Sequence, residues 1–258
     1  MAKEKKKRKK RIIITLVSVF SFIAILVGSF FIYTGIYNHA TDHAISYLQN
    51  STLSEVKDED KYVSFQPKID KVTQINKSGI IFYPGGKVEY KAYAPLLRDL
   101  SDKGIASVLV KMPFNLAIFN INGAKDKQSI FPNIENWYIA GHSLGGVMAC
   151  SYLKNNYTNY KGIIMLGSYS TVDLSQTGLK TLSVLAENDK VLNKDKYEKN
   201  KSNLPNLTEI TISGGIHSYF GDYGIQKGDG TPSISLEEQQ KQIVLNISKF
   251  ILTNSIVE

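Results

Sequence analysis

A serine flanked by glycines lies in residues 141–146, Gly-His-Ser-Leu-Gly-Gly. An apolar run at 137–140 precedes it, and a run of helical character at 147–155 follows it. This pattern predicts a sharp turn between a strand and a helix, because the glycines let neighbouring elements approach closely. In such a turn the Ser143 hydroxyl lies at a helix N-terminus, where backbone N–H groups and the helix dipole stabilise a developing negative charge. Ser143 is therefore a candidate nucleophile, and the alternative is a glycine-rich turn without chemistry.

A serine hydroxyl is a weak nucleophile near neutral pH, so Ser143 needs a histidine as base and a carboxylate that orients this histidine. Of the four histidines, two lie in the N-terminal region. His142 adjoins the serine, and we expect its side chain to point away from the hydroxyl. The fourth, His217, lies in a glycine-rich loop directly after the apolar run 207–212. Active sites of parallel sheets form at the carboxyl ends of strands, which makes His217 the candidate base.

Three acidic residues follow strand-like runs upstream of His217. Asp189 comes after the run 181–186, in the last strand-end loop before the histidine strand. Asp173 follows the preceding run and is the second candidate, whereas Glu187 lies so close to its strand that we expect it only to flank the site. The chain order serine, acid, histidine favours Asp189 as the orienting carboxylate.

The developing oxyanion needs two backbone N–H donors. The residue after the nucleophile, Leu144, supplies one, and the other is expected from a loop after an early strand. Residues 83–87, Tyr-Pro-Gly-Gly-Lys, fit this position, and their glycines allow a substrate oxygen to approach the backbone. We expect the second donor to be the N–H of Gly86, with Lys87 as the alternative. A plain turn remains the other interpretation, since Pro-Gly is a strong turn signal.

Strands and helices alternate along the chain from residue 62. Apolar and β-branched runs predict strands at 62–65, 79–83, 105–110, 137–140, 162–166, 182–186 and 207–212. Helices are predicted at 90–103, 194–203 and 235–252, with a short helical turn at 115–122. Ser235 and Glu238 form a capping-box pattern at the start of the last helix. This alternation predicts an α/β fold with a mostly parallel sheet covered by helices on both faces.

The N-terminal region has the pattern of a membrane anchor. Residues 1–11 carry eight Lys or Arg side chains, and residues 12–33 contain no charge. As a helix the uncharged run is about 33 Å long, enough to span a bilayer. The basic flank predicts that the N-terminus is cytoplasmic and that the following domain lies outside the cell. A cleaved signal peptide is the alternative, although the run is long for one and the nearest cleavage candidate, at 38–40, has Asn where a small residue is expected.

Residues 34–60 are predicted to form a stalk and linker before a domain at 61–258. Apolar residues between positions 36 and 48 recur at helical spacing, so we expect the anchor helix to continue, and residues 50–61 are polar and charged. His39 and His43 are four residues apart, but too few further ligands lie near them for a metal site, and we expect them to be solvated.

Charge and cysteine content limit the remaining interpretations. The net charge is +8, but outside residues 1–11 the chain is almost neutral, so we expect no nucleic-acid partner. Cys150 is the only cysteine, which excludes a disulfide within the chain. Its apolar neighbours predict a buried core residue.

The domain resembles the α/β-hydrolases, in particular the compact group related to dienelactone hydrolases. The resemblance covers about three quarters of the chain and rests on four motifs. They are YPGGKVE at 83–89, AGHSLGG at 140–146, NDK at 188–190 and GGIHSYFGDYG at 214–224. Dienelactone hydrolases themselves have a cysteine where Ser143 stands, so their substrate does not transfer, and a membrane anchor is not part of the general family pattern.

The resemblance implies a serine hydrolase that cleaves carboxylic esters through an acyl-enzyme, with Ser143, His217 and Asp189 as its triad and no metal or organic cofactor. Its partners are then a small ester or acyl substrate and the membrane that holds the anchor. The short connection between the strands at 162–166 and 182–186 leaves no room for a large cap domain, so we expect a shallow, open site. Acyl transfer, peptide or amide hydrolysis, or an inactive envelope-binding module with the same fold remain alternatives. The sequence does not indicate the oligomeric state.

Overall fold

The computed structural model describes residues 1–68 and 77–255, so residues 69–76 and 256–258 of the predicted domain lie outside the described residues. Internal contacts divide the chain into two units, Met1–Tyr37 and Asn38–Glu258. The first unit is helix α1 (Ala2–Gly35), which is long and apolar enough to cross a membrane by length and composition. Most apolar side chains of residues 12–33 are exposed, as a lipid-facing helix requires.

The second unit is built on one eight-stranded sheet with the order β1-β2-β4-β3-β5-β6-β7-β8. The strands are β1 (Ser54–Asp58), β2 (Tyr62–Pro67), β3 (Ser78–Tyr83), β4 (Ala106–Val110), β5 (Asn136–His142), β6 (Gly162–Leu166), β7 (Lys180–Ala186) and β8 (Leu207–Ile212). β2 pairs antiparallel with both β1 and β4, and all other neighbours pair in parallel. The predicted mostly parallel α/β sheet is therefore confirmed.

Helices cover both faces of this sheet. They are α2 (Asp42–Ser46), α3 (Ala94–Asp102), α4 (Leu144–Leu153), α5 (Lys194–Asn200) and α6 (Leu236–Ser255). Short 3-10 turns supplement them at Tyr90–Tyr93, Pro113–Asn115, Ala117–Ala124, Lys127–Ile130, Tyr157–Asn159, Lys201–Asn203 and His217–Phe220. The Ser235 hydroxyl accepts the Glu238 N–H at 3.1 Å, so the predicted N-cap of α6 is present.

Alternate side chains of each strand enter two separate cores. Ile80 of β3 packs in the core that contains Leu97 of α3 and Ile247 of α6. Its neighbour Ile81 packs in the opposite core, which contains Cys150 of α4. Both faces of the central strands are thus apolar, which explains their continuous hydrophobic runs. Burial raises the pKa of the Cys150 thiol to about 12, in agreement with the predicted structural role.

Residues 38–60 differ from the predicted stalk and linker. Helix α1 ends at Gly35, and Ile36 is extended. The apolar residues that suggested a continuing helix instead pack on the domain through α2, where Ala44 is fully buried. The polar segment contains β1, whose outer residues face solvent at the sheet edge. Helical spacing alone does not tell whether an apolar face contacts lipid, a partner helix or the chain's own domain.

Candidate active site

Ser143 occupies a strained turn between β5 and α4. Its backbone dihedral angles are φ 50° and ψ −123°, a region that residues with a side chain rarely adopt. The Ser143 N–H donates to the Leu166 carbonyl at 3.0 Å, and the Ser143 carbonyl accepts the Ser168 hydroxyl at 2.7 Å. These two bonds attach the turn to the carboxyl end of β6. The structure therefore contains the strand-turn-helix geometry that the sequence predicts around this serine.

Gly145 lets the turn lie directly against the end of β3. A Cβ atom at this position would be 2.2 Å from the Tyr83 carbonyl oxygen and 2.3 Å from that of Pro84. Such distances are far inside van der Waals contact, so only glycine fits without moving the backbone. The close approach brings the loop at 84–87 beside the N-terminus of α4.

His217 and Asp189 form a buried pair at the same edge of the sheet. Asp189 follows β7, and His217 begins the 3-10 turn after β8. The Asp189 Oδ2 atom lies 2.7 Å from His217 Nδ1, and each residue is only 2% exposed. The other carboxylate oxygen accepts the N–H groups of Val191 and Leu192, both at 2.8 Å. A carboxylate held in this way keeps the Nδ1 proton on the imidazole and leaves Nε2 as a proton acceptor.

The two other acidic candidates form hydrogen bonds with residues other than His217. Asp173 is exposed and accepts the Ser175 N–H at 2.9 Å, and this backbone bond lowers the pKa of the Asp173 carboxyl. Glu187 accepts the Ser213 hydroxyl and the Gly214 N–H, each at 2.7 Å. The Ser213 bond is the main cause that lowers the Glu187 pKa. Glu187 thus links the loop after β7 to the loop after β8. This position agrees with the expectation that Glu187 flanks the site.

The two expected oxyanion donors lie in adjoining loops. A Cβ atom at Gly86 would be 2.8 Å from Leu144 Cδ2, which shows how closely the loops approach. The N–H of Lys87 donates to the Asn115 carbonyl at 2.8 Å, and that of Gly85 donates to the Tyr93 hydroxyl at 2.9 Å. Within residues 1–68 and 77–255 we find no hydrogen-bond acceptor for the Gly86 N–H. The two N–H groups proposed as second oxyanion donor are those of Gly86 and Lys87. Because the Lys87 N–H is already bonded to Asn115, the Gly86 N–H is the one available to a substrate oxygen.

His142 contacts the histidine of the buried pair, a role that the sequence did not indicate. Its ring centroid lies 4.5 Å from that of His217, and its Nδ1 atom lies 2.9 Å from the Tyr93 hydroxyl. Burial, together with the nearby His217, holds the pKa of His142 well below its ordinary value. The ring is therefore neutral, and its Nδ1 atom shares a hydrogen bond with the Tyr93 hydroxyl. Tyr93 is distant from His142 in the sequence, so no local sequence pattern predicts the hydrogen bond between them.

Asp229 organises the backbone of the histidine loop. Its carboxylate accepts the N–H groups of His217 and Ser218 at 3.3 and 2.7 Å, and the Ser218 hydroxyl at 2.6 Å. Burial acts to raise the Asp229 pKa, but the bonds from Ser218 and neighbouring amides outweigh burial and lower it. No group of three or more His, Cys, Asp or Glu side chains suited to a metal occurs among the residues that the structure describes.

The N-terminal histidines, which were expected to be solvated, each face an acidic residue. His43 Nδ1 lies 2.6 Å from Asp222 Oδ2, and His39 Nδ1 lies 3.7 Å from Glu89 Oε2. Both imidazoles remain largely exposed, whereas Asp222 is buried.

Residues 79–241 match the model of the alpha/beta hydrolase family. The match spans more than half of the chain and includes Ser143, Asp189 and His217, and the chain belongs to this family. The resemblance found in the sequence motifs is confirmed at the level of the family. A search of curated proteins finds no significant match.

Solved structures of similar fold include several hydrolases. An esterase from Pyrobaculum calidifontis is 13% identical, with 81% of this chain and 89% of that chain covered and a TM-score of 0.55. A thermostable esterase from Pseudomonas putida is 15% identical, with 78% and 85% covered and a TM-score of 0.54. A predicted CIB-like hydrolase from Thermoplasma acidophilum is 16% identical, with 75% and 96% covered and a TM-score of 0.50. At these identities the likeness concerns the fold.

Proposed function

We propose that the chain is a membrane-anchored serine esterase that cleaves carboxylic esters through an acyl-enzyme. The observation that carries the proposal is the buried contact of 2.7 Å between Asp189 and His217, at the sheet edge that also holds the strained turn of Ser143. Membership of the alpha/beta hydrolase family supports it. The names of the similar structures, two of which are esterases, favour an ester over other acyl substrates.

In the first half of the reaction, Ser143 Oγ attacks the ester carbonyl while His217 Nε2 takes the hydroxyl proton. The carbonyl oxygen becomes an oxyanion, which the N–H groups of Gly86 and Leu144 stabilise. The intermediate then collapses, the carbon–oxygen bond of the ester breaks, and His217 returns the proton to the departing alcohol. Asp189 keeps the imidazole in the required tautomer throughout.

In the second half, a water molecule replaces the alcohol. His217 takes a proton from this water, which attacks the acyl carbon and forms a second oxyanion in the same position. Breaking of the bond to Ser143 Oγ releases the carboxylic acid, and the proton returns to the serine. These steps use only side chains and amides of the chain, and require neither a metal nor an organic cofactor.

For the N-terminal unit we propose a single membrane span with residues 1–11 in the cytoplasm and the hydrolase domain outside the cell. Helix α1 supports this proposal by its length and its exposed apolar surface. The excess of Lys and Arg before the span supports the orientation. A signal peptide is distinguished from an anchor by the N-terminus of the mature protein, which the proposal expects to retain residues 1–37.

Ester hydrolysis by the purified full chain tests the proposed chemistry. We expect turnover of short-chain p-nitrophenyl esters and a loss of about 10³-fold or more in kcat for Ser143→Ala, since the nucleophile is removed. Ser151→Ala is the matched control, because this serine lies on the same helix and its hydroxyl bonds, among the described residues, to the Val147 carbonyl alone. Equal turnover by Ser143→Ala and the parent protein would contradict the proposal.

A further inference from the structure

Five exposed apolar side chains lie on loops that follow the carboxyl ends of the sheet strands. We call them the apolar rim, and their exposed fractions range from 36% to 56%. They are Phe114, Ile118, Phe119, Val191 and Ile225. The first three lie in the connection between β4 and β5, where the Phe114 and Phe119 rings are 5.7 Å apart. Burial of large apolar side chains is favourable, so such a group exposed together indicates a binding surface.

The loops that carry the apolar rim flank the candidate active site. On one side, Asn115, which follows Phe114, accepts the Lys87 N–H and so lies beside the Gly86 loop. On the other side, the Val191 N–H donates to the Asp189 carboxylate at 2.8 Å. These contacts show that the rim and the candidate catalytic side chains belong to the same end of the domain.

Ile225 belongs to the same surface. Its neighbour Gln226 donates its N–H to the Ser218 hydroxyl at 3.0 Å, and Ser218 directly follows the candidate base. The exposed lysines at 190 and 227 lie next to the apolar residues of these two loops. Apolar side chains accompanied by Lys ammonium groups are typical of surfaces that lie in the headgroup region of an anionic bilayer.

The chain also enters the domain at this end. Asn38, the first residue of the second unit, donates its N–H to the Lys87 carbonyl at 2.8 Å. Thr41 donates its hydroxyl to Asp222, in the loop after His217, also at 2.8 Å. Only residues 36 and 37 separate Asn38 from the apolar helix, a span of about 7–10 Å when extended. The short segment that leads to the apolar helix therefore leaves the domain at the end that carries the apolar rim.

We propose that the apolar rim binds the surface of the bilayer and that Ser143 acts on an ester carried by a membrane lipid. The two observations behind this proposal are independent, since one concerns the exposed side chains and the other the point where the chain enters the domain. The substrate class rests on the proposed esterase function, whereas lipid binding by the rim rests on the proposed membrane span and not on the esterase chemistry.

Fluorescence quenching tests lipid binding separately from activity. The full chain is placed in vesicles of phosphatidylcholine and phosphatidylglycerol, with an environment-sensitive label at Ile118→Cys. Tyr157→Cys is the matched control, because Tyr157 is 37% exposed and precedes β6 at the opposite end of the sheet. The buried Cys150 does not compete for the label. With nitroxide groups on the lipid acyl chains, we expect about threefold or more stronger quenching at position 118, and equal quenching at both positions contradicts lipid binding.

Hydrolysis of two esters tests the substrate class. For the double variant Ile118→Ser and Phe119→Ser, we expect about a tenfold loss with a phospholipid ester in vesicles and less than about a twofold change with a soluble ester. Tyr157→Ser should change neither rate. An equal loss with both esters, or no loss with either, contradicts the lipid substrate. Absence of all ester turnover in the parent protein would instead contradict the proposed function, while the quenching result would still decide lipid binding.

Discussion

Three side chains position His217, and each contacts a different part of the residue. The Asp189 carboxylate contacts His217 Nδ1, the His142 ring packs against the His217 ring, and Asp229 accepts backbone N–H groups of the loop. The sequence was sufficient to predict the first contact, because residue type and chain order narrow the choice of acid. The other two depend on contacts between loops, which no local pattern specifies.

The variant Asp189→Asn tests the proposed orienting carboxylate. An amide that donates to Nδ1 favours the tautomer with its proton on Nε2, so the ring cannot accept the serine proton. We expect kcat for a soluble ester to fall by about 10³–10⁴-fold, the loss that this change causes in known Ser-His-Asp hydrolases. Asp173→Asn, the variant of the second candidate acid, should retain parental kcat. If the two variants have similar rates, Asp189 does not hold this role.

Tyr93 connects the candidate oxyanion loop to His142. Its hydroxyl accepts the Gly85 N–H and forms a second hydrogen bond with His142 Nδ1, both at 2.9 Å in the interior. In Tyr93→Phe both polar groups lose their partner, which should lower the free energy of unfolding by about 1–3 kcal/mol. Because the Gly86 loop is then less well held, we also expect kcat to fall with little change in KM. Urea unfolding and ester kinetics measure the two effects, and unchanged stability together with unchanged kcat would contradict this account.

At the scale of secondary structure, the buried elements were predictable and the edge elements were not. Strands β3 to β7 are buried and largely apolar, whereas β8 alternates apolar with polar residues, and the positions of all six were expected to within a few residues. Strand β1 has charged residues on its solvent side, so its sequence resembles a linker. Helix α2 has only five residues and is stabilised by its contacts with the domain, notably the Thr41 and His43 bonds to Asp222. Contacts between such distant segments produce no periodic pattern in the sequence from which the helix could be predicted.

Helix α3 contains an acidic residue that should weaken the fold at neutral pH. Burial, and then the nearby Asp102, raise the pKa of the Asp99 carboxyl from 3.8 to about 6. Its folded pKa exceeds its unfolded pKa, so its contribution to stability is greatest below pH 3.8 and is lost as pH rises through about 6.

The variant Asp99→Asn should therefore stabilise the protein at pH 7. We expect a gain of about 1 kcal/mol in the free energy of unfolding, a value reduced for the partial exposure of this side chain. Because the carboxyl is largely protonated at low pH, the gain should disappear near pH 4, which serves as the internal control. Denaturant unfolding at both pH values measures the difference. A gain of the same size at both would show that loss of charge is not its cause.

On the scale of the whole chain, the account joins an apolar N-terminal helix to a hydrolase domain whose candidate active site lies where the chain enters. The fold, the family and the length of the apolar helix were predictable, since each depends on long patterns in the sequence. The packing of residues 38–60 on the domain was not. This packing leaves only a short connection between the apolar helix and the domain, and the proposed contact of the apolar rim with lipid follows from it.

The most direct test of the central claim is labelling of intact cells with a fluorophosphonate probe that does not cross membranes. The probe forms a covalent bond only with an activated serine, so it reports the nucleophile and its side of the membrane together. We expect labelling of the parent protein at Ser143, loss of labelling in Ser143→Ala, and normal labelling in Ser151→Ala. Labelling only after lysis would contradict the outward orientation, and the absence of labelling in folded protein under both conditions would contradict the assignment of a serine hydrolase.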